Sequence, residues 1–196
     1  MTGLDSELLR VRLRRAGFTP SMFRYHSTHA PLAEITEALA ETLRKAGPRV
    51  HVVGHSLGGI IALDTFLSHA DLPPGRLVLM GAPVRGARAA QSLARHPIGQ
   101  AILGPLALEE LATPRERNWS LPREVGLIAG SRSIGLGRFL ADLPEPNDGT
   151  VAVDETDLPG ASGRIVHDVS HIGMLFSTPV TDSLLHFLAH GSFGQA

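Results

Sequence analysis

The run Arg49-Val50-His51-Val52-Val53-Gly54-His55-Ser56-Leu57-Gly58-Gly59 decides how this chain is read. Its first five residues read as a short strand running into Gly54. Leu57 to Ser68 reads as a helix with Ile60, Ile61, Leu63 and Leu67 apolar. Between them, Gly54-His55-Ser56-Leu57-Gly58 fits G-x-S-x-G, the pattern of a nucleophile elbow. In such a turn the Ser sits on a strained strand-to-helix corner, so its oxygen projects above the sheet. Side chains two residues to either side would collide there, which calls for Gly54 and Gly58. The helix that follows points its N-terminus at the site and favours negative charge. The Leu57 N–H is the expected donor to a developing oxyanion.

A Ser is a weak nucleophile without a base, and the chain offers ten His. With an elbow of this kind the base should follow the last strand. His171 does so, after Val169-Ser170 and before Ile172-Gly173. His167 falls inside the strand read at Arg164 to Val169 and suits the role less well. The acid should lie between Ser and His in chain order, in the loop after the penultimate strand. Asp148, in Asn147-Asp148-Gly149-Thr150, meets that condition. Asp142, Asp154 and Asp157 compete with it, and Asp-Gly is also an ordinary turn pair. A carboxylate in that place holds the imidazole tautomer and stabilises the imidazolium.

Outward from the elbow, the apolar runs Arg76 to Met80, Val125 to Ala129 and Arg164 to Val169 alternate with helical patterns. That alternation predicts an α/β chain with a mainly parallel sheet. Met22 to Ser27 reads as a further, weaker strand. Helices are expected at Asp5 to Ala16, around Leu32, Ile35, Leu39 and Leu43, and from Thr178-Pro179 to Gly191, with Thr178 as N-cap. The segment 84–123 far exceeds the usual connection of about 4–6 residues. It is read as a small cap whose Ile98, Ile102, Leu103 and Leu106 line an acyl pocket.

Composition bounds the function. The 196 residues are 43% hydrophobic and 19% charged, which suits one domain with a core. Eighteen basic and 19 acidic side chains leave a net charge of −1, with nothing to draw nucleic acid. The absence of Cys excludes thiolate catalysis, disulfides and thiolate metal sites. Asp182, His186 and His190 share a helical face, but a solvated polar face is the better reading, so no metal and no cofactor are expected. No dinucleotide loop, P-loop, signal peptide or run of about 18 apolar residues appears, and a cytoplasmic location without a transmembrane segment is expected.

Gly54 to Gly59, Gly81-Ala82-Pro83, Asn147 to Val151 and Ser170-His171 together resemble bacterial α/β-hydrolases of the lipase and esterase type, including the GPI-inositol-deacylase-like group. The resemblance runs from Leu8 to Phe193. It implies a single α/β-hydrolase domain over 1–196, with a sheet of about five strands flanked by helices and a cap at 84–123. It also implies a serine esterase acting on a small-molecule or lipid ester through Ser56, His171, Asp148 and an acyl-enzyme. Acyl transfer or thioester cleavage on the same triad is the alternative, as is a catalytically impaired hydrolase-like domain. The family opens with an apolar strand ending in His-Gly, which supplies a second oxyanion donor; here the first helix begins almost at Met1. Three expectations follow from that departure. Met22 to Ser27 and Arg49 to Val53 close up and pair, esterase activity is weak, and the missing strand is encoded upstream of Met1.

Overall fold

A computed structural model describes residues 7–25, 30–134 and 143–194. Four runs form one wholly parallel sheet: β1 (Val52–His55), β2 (Leu77–Met80), β3 (Val125–Gly130) and β4 (Gly163–His167), in the order β1-β2-β3-β4. β2 and β3 are buried at every residue and read as continuous apolar runs, because helices cover both faces of a parallel sheet. Six α-helices are described: α1 (Glu7–Arg15), α2 (Leu32–Ala46), α3 (Leu57–Ser68), α4 (Arg88–Ala94), α5 (Pro97–Leu111) and α6 (Thr178–His190).

The two-residue period of a strand divides the interior into two cores. Leu77 and Leu79 of β2 face α2, α3 and the second half of α5, where they join Ile35, Leu39, Ile60, Leu63 and Leu106. Val78 and Met80 face the other way, onto Leu9 and Leu13 of α1 and Leu184 and Phe187 of α6. The α6 N-cap is Ser177, whose Oγ accepts from the Val180 N–H at 3.4 Å, one residue before the Thr178 expected.

The sheet holds four strands rather than about five among the described residues. Met22 to Tyr25 form no strand, and Ser27 lies outside the described residues. Phe23 and Tyr25, two residues apart, stack with ring centroids 6.2 Å from each other and pack against the first core. Side-chain burial, not a backbone ladder, anchors this segment. Among the described residues β1 pairs with β2 alone, so the expected pairing with Arg49 to Val53 does not form over Met22 to Tyr25, and His26 and Ser27 lie outside the described residues.

The insertion between β2 and β3 carries α4 and α5. Gly104 (φ 73°, ψ 166°), followed by Pro105, kinks α5 into two unlike halves. Ile98 and Ile102 in the first half are 77% and 70% exposed, whereas Leu106, Glu110 and Leu111 in the second are buried. Of the four residues expected to line an acyl pocket, two are taken up by the core side. Leu106 belongs to the core, Leu103 packs at its edge, and the two Ile face solvent. A buried ion network fastens the second half to α3. Arg117 donates twice to Asp64, at 2.9 and 2.8 Å, once to Glu110 at 2.9 Å and once to the Val84 carbonyl at 2.9 Å. Arg115 takes the remaining Glu110 oxygen at 2.8 Å.

Candidate active site

The corner between β1 and α3 is strained where the motif requires. Ser56 adopts φ 54°, ψ −129°, and among the described residues it is the one non-Gly residue at positive φ. Such a conformation costs about 1–3 kcal/mol and persists only where surroundings enforce it. Here the Ser56 N–H donates to the Met80 carbonyl at 3.0 Å, and the Ser56 carbonyl accepts from Gly59 at 2.9 Å. The glycines that permit the turn differ from those expected. A Cβ on Gly54 would fall 2.5 Å from the Gly59 Cα, and one on Gly59 would fall 2.6 Å from the Ala82 Cβ. A Cβ on Gly58 would meet nothing within 4 Å. Closure of the turn therefore depends on positions 54 and 59, because α3 starts at once and carries residue 58 to its outer side.

Asp148 and His171 meet. The His171 Nδ1–H donates to Asp148 Oδ2 at 2.7 Å, in a site where Asp148 is 1% and His171 8% exposed. The other Asp148 oxygen accepts from the Thr150 and Val151 N–H groups at 2.9 and 2.7 Å. This short turn directs Oδ2 at the imidazole and gives both oxygens of the buried carboxylate a partner. The His171 N–H in turn donates to the Asp148 carbonyl at 2.9 Å. The competing carboxylates are committed elsewhere. Asp154 binds Arg88, Asp157 binds Arg85 and Arg164, and Asp142 lies outside the described residues. His167 pairs with the Ser183 hydroxyl at 3.0 Å.

The pair lies against the elbow. A Cβ on Gly81, the residue after β2, would come within 3.1 Å of His171 Nδ1, and the His171 and His55 rings are 4.6 Å apart. The Ser56 hydroxyl makes no hydrogen bond to His171 in this arrangement. In unliganded enzymes that bond is often long and tightens when substrate arrives. Leu57 opens α3, so its N–H has no intrahelical acceptor and faces the elbow end of the helix.

His55, a variable position of the G-x-S-x-G pattern, has no role assigned by the motif. Its Nε2–H donates to the His171 carbonyl at 3.0 Å, and burial, together with the nearby His171, pushes it down to about 4. The signal available was its place inside the elbow itself. On α6, His186 donates to the Ser192 carbonyl at 2.9 Å, and among the described residues no three His, Cys, Asp or Glu side chains are grouped to hold a metal. Two surface cavities, of about 530 and 400 Å³, are lined by neither Ser56, Asp148 nor His171. No described helix is long and apolar enough to cross a membrane.

Comparison with known proteins agrees with this architecture. The fold is similar to that of Bacillus licheniformis lipase BlEst2 in mature form, at a TM-score of 0.71 and 20% identity, covering 90% of this chain and 83% of the lipase. It is similar to phospholipase PlaB from Legionella pneumophila at a TM-score of 0.70 and 15% identity, covering 97% of this chain and 57% of that one. Carboxylesterase CesB from Bacillus subtilis aligns at a TM-score of 0.56 and 15% identity, covering 96% and 81%. At such identities the likeness is one of fold. No curated protein matches the chain by sequence. A family model described as the alpha/beta hydrolase family matches residues 3–189, nearly the whole length, and the chain belongs to that family.

Proposed function

We propose that this chain is a serine hydrolase of carboxylic esters, with Ser56 as nucleophile, His171 as base and Asp148 as the acid that orients it. One observation carries the reading: the 2.7 Å Asp148–His171 pair lies beside an elbow whose Ser is held at positive φ. Ser56 Oγ attacks the ester carbonyl while its proton passes to His171 Nε2. The carbonyl π electrons move onto oxygen, where the Leu57 N–H donates to the oxyanion. Collapse expels the alcohol, protonated by His171, and leaves an acyl-Ser56. Water then repeats the sequence and releases the acid. Asp148 keeps Nδ1 protonated throughout, so that Nε2 is the nitrogen free to accept.

The lipase, phospholipase and carboxylesterase neighbours support an ester as the substrate class, small or lipid. The exposed first half of α5, with Ile98 and Ile102, is the part of the insertion free to contact an acyl chain and act as a cap. The test is hydrolysis of p-nitrophenyl esters of graded chain length by wild type and Ser56→Ala. Wild type turns over with a chain-length optimum that Ile98→Ser/Ile102→Ser displaces, and Ser56→Ala is inactive. Equal turnover by wild type and Ser56→Ala would remove the proposal.

A further inference from the structure

His55 stands in the elbow next to Ser56, yet the mechanism above gives it no task. Its ring is buried among groups of the site, and the titratable ones that face it are His171 and Asp148. Its hydrogen bonding is one-sided. Nε2 lies 3.0 Å from the His171 carbonyl oxygen, which can only accept, so Nε2 carries the proton. Nδ1 is buried with no partner. A second proton there would be a buried donor without an acceptor, so the ring is held in the neutral Nε2–H tautomer.

The contact matters for where it reaches. The His171 side chain is held by Asp148 Oδ2 and its main-chain N–H by the Asp148 carbonyl, so both of those restraints come from the acid loop. The bond from His55 holds the third point, the His171 carbonyl, and comes from the elbow. It joins the strained corner bearing Ser56 to the loop bearing His171, and the two rings pack 4.6 Å apart. Because His55 and Ser56 share a peptide unit, this bond ties the residue bearing the base to the residue next to the nucleophile.

We infer that His55 is a positioning residue, whose Nε2–H bond to the His171 carbonyl fixes the base loop in register with the elbow. This inference rests on the triad reading above. A misplacement of about 1 Å at reacting atoms costs up to about 100-fold, and one net hydrogen bond accounts for about tenfold of that. Being neutral, the His55 ring also leaves room for the positive charge that His171 carries in each half-reaction.

The test uses the full chain as wild type, His55→Phe and His55→Gln. Phe fills the space without a donor, and Gln places an N–H at similar reach. Hydrolysis of p-nitrophenyl butyrate is followed per folded molecule, with circular dichroism fixing the folded fraction. The expected result is a kcat about tenfold lower in His55→Phe, a KM within twofold of wild type, and recovery of most of the kcat in His55→Gln. Equal kcat per folded molecule in wild type and His55→Phe, or no recovery in His55→Gln, overturns the inference. A second readout does not depend on turnover. NMR relaxation dispersion of the His171 ring is expected to be flat in wild type and His55→Gln and to show exchange in His55→Phe; identical profiles in all three overturn the inference. If wild type hydrolyses no ester, the triad reading fails by that result, while the ring dynamics still decide whether His55 holds the loop.

Discussion

The catalytic end of the sheet and the insertion after β2 are held together by different physics. At the sheet end, short turns do the work: Ser56 is fixed by the Met80 carbonyl, and Asp148 by two amides of its own loop. These restraints span a few residues or two adjacent strand ends, and the His55 bond to the His171 carbonyl alone crosses from the first strand end to the last. The insertion is fastened by charges remote in sequence. Arg117 bridges Asp64 of α3 and Glu110 of α5, and Glu155 accepts from the Arg88 N–H at the start of α4. Beyond the Gly104 kink the fastening stops, and Ile98 and Ile102 stand in solvent. The difference teaches that geometry for chemistry is encoded locally here, whereas placement of the covering segment depends on a few buried ion pairs.

Substitutions in the two regions should therefore fail in different ways. The largest effect is expected at the acid. Asp148→Asn keeps the shape but lets the imidazole adopt the wrong tautomer, which costs about 10⁴-fold in kcat. Steady-state ester hydrolysis checks it, with circular dichroism to verify folding, and a loss below tenfold would remove Asp148 from its role. At Arg117 the loss should fall on stability instead. Arg117→Met strands Asp64 and leaves the almost fully buried Glu110, whose carboxyl is already pushed up by burial, with Arg115 alone. Breaking such a network by one partner costs about 3–5 kcal/mol. Urea unfolding measures that cost, while kcat per folded molecule should stay near wild type.

The local and remote regions also respond differently to pH. His55 is held down to about 4 from 6.5, first by burial and then by the His171 charge. Between those values the unfolded chain binds the proton and the folded chain does not, so stability falls as pH drops from 6.5 toward 4. The total is about 3 kcal/mol for a shift of this size. His51 and His167, also lowered by burial, add to the same slope. Unfolding midpoints across this range should be flatter in His55→Phe than in wild type, and equal slopes would show that His55 titrates normally. The smallest effect belongs to Gly58. A Cβ there meets nothing, and Ala in a helix gains up to about 0.5–1 kcal/mol over Gly. Gly58→Ala should unfold no lower than wild type, whereas Gly59→Ala, aimed at the Ala82 Cβ, should unfold far lower.

That contrast explains how much could be read from the chain alone. The elbow, the span of α3 and the loops carrying Asp148 and His171 are legible because each rests on a short pattern: a Gly-flanked Ser, an apolar period, a turn pair after a strand. The exchange of Gly58 for Gly59 is not, because it depends on Ala82 arriving from the next strand. The Arg117 network is equally hidden, since Asp64, Glu110 and Arg117 look like three solvated charges until folding brings them together. Met22 to Tyr25 misleads for a related reason. Alternation of Phe23 and Tyr25 predicts one buried face, and the burial occurs, but no partner edge is engaged by the described residues. The β1 edge therefore gives no ladder to that segment.

The central claim is that Ser56, and no other hydroxyl in the chain, is the activated nucleophile. The direct measurement is treatment of the folded 196-residue protein with a fluorophosphonate, followed by intact mass and peptide mapping. The account predicts a single adduct on the peptide containing Ser56, abolished in Ser56→Ala and slowed in Asp148→Asn. A folded wild-type protein that takes no adduct, or an adduct that maps to another residue and survives Ser56→Ala, would contradict it.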